Sequence, residues 1–587
     1  MTTTTKSVVA SGFHTGAKGI GAANAMGIKS MGSRDFRRQD APQPAEKAPG
    51  HEAPAAQRPN RLLASTGPAG MIRPAAVGTR ERFAAPAKPA VRVYATTGKR
   101  KGKTMGGFFG VSSKEDCIQD LFYGTDYHSH LGTMRGGLAV LNGNGQGNGF
   151  TRVIHNITNA QFRSKFEDDL PKLTGRSGIG IISDFEDQPL IIGSHLGVFA
   201  IVTVGVIRNS EAVVAEAYRK GAVHFSEMSG TGINPTELVA TLIAQEPAFA
   251  DGLRRVQDIV DGSCSILLLT QDGVYAARDR LGRTPVILGR RDGAFAAALE
   301  TCAFPNLGYE VERDLGPGEI VRFTPDGFEQ LYPPGDRMQI CTFLWVYYGY
   351  PASSYEGINV EASRNRCGAA LARREKMEID IVAGIPDSGT GHAVGYAHQA
   401  GIPYRRPFVK YTPTWPRSFM PQDQRIRDLV ARMKLIPIRE LIQGQRLLFC
   451  EDSIVRGTQL HDTIERIYGC GAKEVHMRPA CPPLVHGCKF LNFSRSKSEM
   501  DLAARRAIRE IEPAGEVDLA AYADPDGDKH AEMVERIRCR LNLTSLRYQR
   551  LDDLVEAVGL PKEKLCTYCW DGSESACPSC PGGKIKA

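Results

Sequence analysis

Two adjacent carboxylates, Glu451 and Asp452, stand at the end of a hydrophobic strand in the stretch LLFCEDSIVRGTQL. The loop from Ser453 to Thr458 then opens a helix. Backbone N–H groups of such a loop, the helix N-terminus and the hydroxyls of Ser453 and Thr458 suit a phosphate monoester. The carboxylate pair suits ribose hydroxyls and a hydrated Mg²⁺. The stretch therefore predicts a site for a phosphorylated sugar, with an ordinary strand-to-helix turn as the alternative.

A second loop of this kind lies in GIPDSGTGHAVGYAHQAGIPY, where residues 386–389 (Pro-Asp-Ser-Gly) follow another apolar strand. Its glycines would allow the backbone to approach a pyrophosphate closely. Alone this signal is weak, but it gains weight beside the first loop.

The elements that must position these loops alternate between strand and helix. IDIVAGIP precedes GHAVGYAHQAG, and QRLLFCED precedes TQLHDTIERIYGCG. Apolar strands followed by glycine-bearing loops and amphipathic helices predict a parallel sheet, in which ligands bind at the carboxyl ends of the strands. Residues 336–500 are therefore predicted to be an α/β domain, and residues 501–587 a helical, charged region with a Cys-rich tail.

Residues 105–335 have a different pattern, with short strands and turns such as GGFFGV, SGIGIISD and GVFAIVTVGVIRN. Asp272-Gly273 is a hairpin signal in CSILLLTQDGVYAARD. Two helical patterns interrupt the strands, near residues 117–123 and 211–220. We predict an α+β domain with a layered sheet core.

The N-terminal 104 residues carry 18 Lys+Arg but only 5 Asp+Glu, whereas the rest of the chain carries 55 and 60. The net charge of +8 therefore does not indicate a nucleic-acid partner for the folded body. The first segment is rich in Ala, Pro and Gly and is predicted to be disordered. It could be a transit peptide, a nucleic-acid arm, or a stretch added by a misplaced start codon; Met105 favours the last.

The chain of 587 residues has 42% apolar residues and no apolar run long enough to span a membrane. Its 14 Cys without a signal peptide indicate an intracellular protein in which some thiols bind metal. Taken locally, CTYCWDGSESACPSC suggests a small zinc site.

The two loops, together with RMKLIPIREL and EVHMRPACPP, resemble the glutamine phosphoribosyl pyrophosphate (PRPP) amidotransferase, or amidophosphoribosyltransferase, family. Its members catalyse the first committed step of purine biosynthesis. The resemblance covers most of residues 105–572. It implies an Ntn-hydrolase-like αββα sandwich followed by a type I phosphoribosyltransferase domain, in a cytoplasmic homo-oligomer that uses Mg²⁺.

The resemblance also assigns roles to residues. Catalysis would fall to Glu451, Asp452 and Arg417. The stretch KYTPTWPRSFMPQ resembles the family's mobile loop, with solvated loop residues as the alternative. The implied PRPP-binding residues are Asp387, Ser388, Gly389, Lys410, Tyr411, Ser453, Arg456, Gly457 and Thr458. Mg²⁺ would be held by Ser388, Glu451 and Asp452.

The first domain departs from the family at the glutamine site. Family members attack glutamine with an N-terminal Cys, but Gly106 stands there in TMGGFFGV. Four further positions that hold the substrate or its oxyanion are also inert here: Leu131, Ser183, Val204 and Pro235. We predict no glutaminase activity, so that nitrogen would come from free ammonia or an ammonia-supplying protein.

Nearby reactive residue types offer no replacement nucleophile. We interpret Cys117, His128, His130 and His195 as packed core residues. Two other functions stay open: a non-catalytic PRPP or nucleotide sensor that regulates a partner, and a transferase with another acceptor.

The resemblance groups the cysteines differently from the local zinc motif. Some family members carry a [4Fe–4S] cluster on one Cys at the domain junction, one after the Pro-Pro segment and a terminal C-x₂-C. The matching residues here are Cys341, Cys488, Cys566 and Cys569. Cys577 and Cys580 then have no assigned role.

Overall fold

The computed structural model describes residues 106–142, 149–184, 186–221, 224–226, 228–229, 232–411, 435–491 and 499–573. All of them belong to one compact unit, 89–587. The other unit, 1–88, lies outside the described residues, as do the predicted disordered segment 1–104, Arg417, Cys577 and Cys580.

The first part of the described chain is rich in strands and has few helices. Its strands are β1 (Gly107–Ser113), β2 (Arg135–Leu141), β3 (Phe150–Asn156), β4 (Ser177–Ser183), β5 (Leu190–Ser194), β6 (Gly197–Ile207), β7 (Met228–Ser229), β8 (Gly232–Ile233), β9 (Gly262–Thr270), β10 (Gly273–Ala277), β11 (Ile287–Arg291), β12 (Ala294–Ala298), β13 (Glu310–Asp314), β14 (Ile320–Thr324) and β15 (Gly327–Tyr332). Its helices are α1 (Ile118–Asp126), α2 (Phe162–Phe166), α3 (Ser210–Arg219), α4 (Pro235–Ile243) and α5 (Phe249–Ile259).

These strands form two antiparallel sheets that pack face to face. One sheet has the order β13-β11-β12-β1-β4-β2-β3 and the other β15-β14-β10-β9-β6-β5. Side chains such as Val111, Leu267 and Val274 fill the space between them. Helices α3, α4 and α5 cover the outer face of the second sheet, where Val213 and Leu238 belong to a second apolar cluster. Helix α1 contacts β1 and β4 of the first sheet.

This arrangement confirms the predicted αββα sandwich. The Asp-Gly signal is confirmed by the tight antiparallel connection of β9 and β10, and both predicted helices are present as α1 and α3.

The second part contains the predicted parallel sheet. Its strands are β16 (Ile340–Cys341), β17 (Ser354–Tyr355), β18 (Ile358–Asn359), β19 (Ile381–Gly384), β20 (Phe408–Lys410), β21 (Leu435–Pro437), β22 (Arg446–Glu451), β23 (Glu474–Pro479), β24 (Ser545–Leu546) and β25 (Leu565–Cys566). Its helices are α6 (Val360–Arg373), α7 (Gly389–Ala400), α8 (Thr458–Gly469), α9 (Ala503–Ile511), α10 (Leu519–Ala523), α11 (Asp528–Arg540), α12 (Leu551–Val558) and α13 (Tyr568–Asp571).

The parallel sheet has the order β19-β22-β23-β24 and is covered on both faces. Helices α6 and α7 pack on one face through Leu371 and Tyr396, while α8, α9 and α11 pack on the other. The interface between α6 and α7 is unusually close, because a Cβ on Gly368 would lie 1.8 Å from the carbonyl oxygen of His392. Helix α7 is thereby held firmly behind the loop that precedes it.

Candidate active site

The carboxyl ends of β19 and β22 bring the two predicted loops together. These strands are parallel neighbours, with Gly384 paired to Cys450. A Cβ on Gly389 would lie 2.3 Å from the carbonyl oxygen of Cys450, so the loops touch through their main chains. Glycine is required at 389 because any side chain would push the loops apart.

Asp452 is the polar residue that joins the two loops. Its side chain is buried and accepts hydrogen bonds from Ser388 Oγ at 2.5 Å and Ser453 Oγ at 2.7 Å. Asp387, beside Ser388, forms an exposed ion pair with Lys410 at the end of β20. An exposed pair of this kind contributes little stability, so Lys410 can exchange it for a phosphate at small cost.

Glu451 and Asp452 repel each other as anions. Burial, followed by the charge of Asp452 and a hydrogen bond with it, raises the pKa of Glu451 well above its ordinary value. Two adjacent carboxylates of this kind favour a bound cation that compensates their charge. Two carboxylates beside the Ser388 hydroxyl are a donor set of hard oxygen atoms, which fits Mg²⁺.

The remaining predicted PRPP residues have more varied surroundings. Gly457 has φ +75° and precedes α8, which begins at Thr458. The Arg456 guanidinium lies 3.6 Å from Asp501, so it faces the C-terminal helical region. Tyr411 is 40% exposed and stands where the described chain is interrupted before 435.

Sequence reasoning missed Arg364, a buried cation behind the carboxylate pair. Its guanidinium donates to the carbonyl oxygens of Trp345, Tyr347 and Gly349 at 2.9–3.0 Å and attracts Asp452 electrostatically. The sequence held one signal for this position. Arg364 lies four residues before Gly368, so the helical spacing places it on the same small-residue face of α6 that packs against α7.

The five positions that the family resemblance assigns to the glutamine site also lie close together. A Cβ on Gly106 would lie 2.6 Å from the carbonyl oxygen of Ile182, 3.5 Å from Val204 Cγ2 and 3.6 Å from Ser183 Cα. Leu131 Cδ1 would lie 2.9 Å from a Cβ on the next residue, Gly107.

Pro235 begins α4 beside this group. Thr236 Oγ1, in the following residue, lies 2.7 Å from Thr203 Oγ1, which precedes Val204 on β6. Gly205, the next residue of β6, has φ +146°, and a Cβ there would lie 1.9 Å from the Ser263 carbonyl oxygen. Glycine is thus required at position 205 by the backbone.

The nearby thiol and imidazoles have different surroundings. Cys117 is fully buried, and burial raises its pKa. His128 is buried with Nδ1 2.8 Å from the Gly124 carbonyl oxygen, and burial lowers its pKa to about 4. His130 Nε2 lies 3.0 Å from Glu300 Oε1. The core interpretation is wrong for His195, which is exposed because it lies in the turn between β5 and β6.

The four cysteines of the predicted cluster are neighbours in space. Cys341 and Cys566 are paired residues of the parallel strands β16 and β25. The Cys569 thiol is hydrogen bonded to Cys488, and burial and the other thiols raise the pKa of Cys341 well above its ordinary value. Within the described ranges, no three His, Cys, Asp or Glu side chains converge as ligands of one metal ion. In a four-iron cluster each thiolate binds a different iron, so four separate thiols fit that group.

The fold and this geometry define a glutamine-amidotransferase-type sandwich joined to a phosphoribosyltransferase-type sheet. A family model described as a glutamine amidotransferase domain matches residues 176–305. The amidophosphoribosyltransferase of Archaeoglobus fulgidus is 32% identical over 370 residues, which are 62% of this chain and 80% of that protein. The enzyme of the same name from Mycobacterium tuberculosis is 30% identical over 479 residues, covering 79% and 85%.

Solved structures agree with these relatives. The glutamine PRPP amidotransferase from B. subtilis, complexed with ADP and GMP, superposes with a TM-score of 0.67 at 25% identity and covers 80% of this chain and 97% of its own. A structure described as the allosteric regulatory enzyme of purine biosynthesis gives a TM-score of 0.68, also at 25% identity. The chain belongs to the amidophosphoribosyltransferase family. None of the helices in the described ranges is long and apolar enough to cross a membrane.

Proposed function

We propose that this chain transfers the phosphoribosyl group of PRPP to ammonia, giving phosphoribosylamine and pyrophosphate for purine biosynthesis, and that it does not hydrolyse glutamine. The observation that carries the proposal is the contact between the two loops, in which Ser388 and Ser453 both donate to Asp452 at the carboxyl edge of the parallel sheet. This edge is where open α/β sheets bind their ligands.

The proposed roles follow from these positions. The N–H groups at the start of α8, with Ser453 and Thr458, bind the 5′-phosphate, and the loop before α7 binds the pyrophosphate. Glu451 and Asp452 orient the ribose hydroxyls. Lys410 and, by family resemblance, Arg417 and Tyr411 approach the phosphates. Mg²⁺, which Ser388, Glu451 and Asp452 would hold, supplies charge compensation for the leaving pyrophosphate.

The bond changes are those of a simple displacement at ribose C1. The nitrogen lone pair of ammonia forms the new N–C1 bond, the bond from C1 to the pyrophosphate oxygen breaks, and the nitrogen then loses a proton to solvent. Catalysis by this chain would consist of holding C1 and the phosphates in the reactive orientation, which can supply several kcal/mol of the barrier.

The inert positions around Gly106 support the loss of glutaminase chemistry. The nucleophile is missing, and the side-chain amide that would stabilise the oxyanion is replaced by Val204. The site would then depend on free ammonia or an ammonia-supplying protein, in a homo-oligomer as in the family.

The experiment compares two nitrogen donors. Purified protein, PRPP and Mg²⁺ are mixed with either ammonium or glutamine, and released pyrophosphate is measured, with Asp452→Asn as the inactive control. Product from ammonium only is expected. Product from glutamine but not ammonium would refute the proposal, and PRPP binding without turnover by either donor would favour a regulatory sensor.

We further propose that Cys341, Cys488, Cys566 and Cys569 hold a structural [4Fe–4S] cluster that ties the C-terminal helices to the domain junction. Thr342 Oγ1 already donates to the Cys566 carbonyl oxygen at 3.0 Å in this region. Iron and sulfide analysis after anaerobic purification, with loss of both in Cys566→Ser, tests the assignment. Stoichiometric zinc without sulfide would overturn it.

A further inference from the structure

One loop of the sandwich domain reaches the segment that carries Cys341. This loop, 278–286, connects β10 to β11 and contains Leu281 and Arg283. The Leu281 carbonyl oxygen accepts from Gln339 N–H at 2.7 Å, and the Arg283 carbonyl oxygen accepts from Cys341 N–H at 3.1 Å. The main chain of Cys341 is thereby positioned by the sandwich domain, which itself contains none of the four thiols.

The Arg283 side chain continues toward the same group. Its guanidinium carbon lies 3.7 Å from the ring centroid of Phe490, two residues beyond Cys488. One of its terminal nitrogens donates to the Gly262 carbonyl oxygen at 3.1 Å. The guanidinium is also in electrostatic contact with the thiols of Cys341 and Cys566.

Arg283 is a buried cation without an obvious counter-charge. It is only 9% exposed, its Nε is a buried donor without a hydrogen-bond partner, and none of the ion pairs among the described residues includes it. A buried charge is costly unless an opposite charge or hydrogen bonds compensate it. Protonated thiols are neutral and cannot do so, whereas four thiolates around an iron–sulfur cluster carry net negative charge.

Lys489 is a second cation that packs on the aromatic rings beside this group. Its Nζ lies 4.5 Å from the ring centroid of Tyr568, which stands between Cys566 and Cys569 in the chain. Lys489 also interacts electrostatically with Asp261 of the sandwich domain, so Arg283 is the cation that faces the thiols themselves. Hydrogen bonds and positive charge near cluster sulfurs are the means by which a protein tunes and retains such a group.

We propose that Arg283 is the sandwich domain's contribution to the metal centre: its main chain positions Cys341 and its guanidinium compensates the negative charge of the thiolate-bound cluster. This inference rests on the cluster proposed above. It gives the sandwich domain a function that does not need glutamine hydrolysis, because the cluster is completed only when that domain is docked. Arg283 is a positioning residue and does not ligate iron.

The test compares three variants of the full chain after anaerobic reconstitution with iron and sulfide. Arg283→Gln removes the charge, Arg283→Lys keeps it without the planar fork, and Arg280→Gln removes a cation of the same loop that instead lies 3.9 Å from Asp258. Cluster content, the rate of cluster loss to an iron chelator and the reduction potential are measured. Unfolding temperatures of the apo forms report any general destabilisation.

We expect Arg283→Gln to lose its cluster about tenfold faster or more, as is typical for residues that support metal ligands. Its reduction potential should become more negative, because a positive charge that stabilises the reduced cluster is gone. Arg283→Lys should recover the potential, and Arg280→Gln should behave like the parent.

Two results would overturn the inference. One is a parent-like loss rate and potential in Arg283→Gln. The other is faster cluster loss in Arg283→Gln that is accompanied by a lower unfolding temperature of the apo form but by no change in the reduction potential. Failure of the parent itself to take up iron and sulfide would instead overturn the cluster assignment, and this inference with it. The ammonium-dependent assay reports separately on the transferase proposal.

Discussion

Substitution of Gly389 by alanine tests whether the contact between the two loops positions the phosphates. The new Cβ would lie 2.3 Å from the Cys450 carbonyl oxygen, and carbon–oxygen contacts below 3.0 Å are essentially not seen. The loop that begins α7 must therefore shift by about 0.7–1 Å, because Cys450 is in the centre of the sheet. A displacement of this size at a reacting centre costs on the order of 100-fold in rate, or about 2.7 kcal/mol of transition-state stabilisation.

The assay is pyrophosphate release from PRPP at saturating ammonium, with kcat and KM determined separately and PRPP affinity measured by calorimetry. Gly469→Ala is the matched control, because this residue ends α8 in the same domain and nothing lies within 4 Å of a Cβ there. We expect Gly389→Ala to lower kcat/KM by about 100-fold and the control to leave it unchanged. Parent-like kcat and KM in Gly389→Ala would refute the positioning argument.

Three further predictions concern stability and the glutamine site. Burial lowers the pKa of His128 to about 4 and that of His392 to about 3, so the unfolded chain binds these protons more readily. The free energy of unfolding is therefore expected to fall as the pH drops below 6.5, by about 2 kcal/mol per histidine between pH 7 and 5. In urea unfolding, His128→Gln and His392→Gln should each lose less stability over this pH range than the parent does. Glu375→Ala leaves the buried Arg478 without its carboxylate partner. The free energy of unfolding, measured with urea, should fall by about 3–5 kcal/mol. A decrease below about 1 kcal/mol would argue against a structural ion pair. Gly106→Cys should not restore glutamine hydrolysis, even in a chain that begins at residue 106, and ammonia release from glutamine by that variant would contradict the proposed loss of the site.

Much of the fold could be predicted because its signals are local. Apolar strands followed by glycine-bearing loops and amphipathic helices predicted the parallel sheet, and short strands and turns predicted an α+β domain with a layered sheet core. The local order of strand, loop and helix was sufficient to predict that Glu451 and Asp452 lie at the end of a strand. His195 shows the limit, since a histidine near apolar strands gives no indication of whether it lies in the core or in a surface turn.

By itself, the sequence determined which chemical groups this protein has: two glycine-bearing loops with a carboxylate pair, a glycine instead of a thiol at position 106, and cysteines at three separated places. Only the tertiary structure decided that Ser388 and Ser453 meet at Asp452, that Arg364 lies buried behind it, and that Arg283 reaches the thiols from another domain. The physical reason is that residue type and local periodicity determine a strand or a turn. Contacts between distant segments depend instead on how sheets and helices pack, as in the main-chain contact of Gly389 with Cys450.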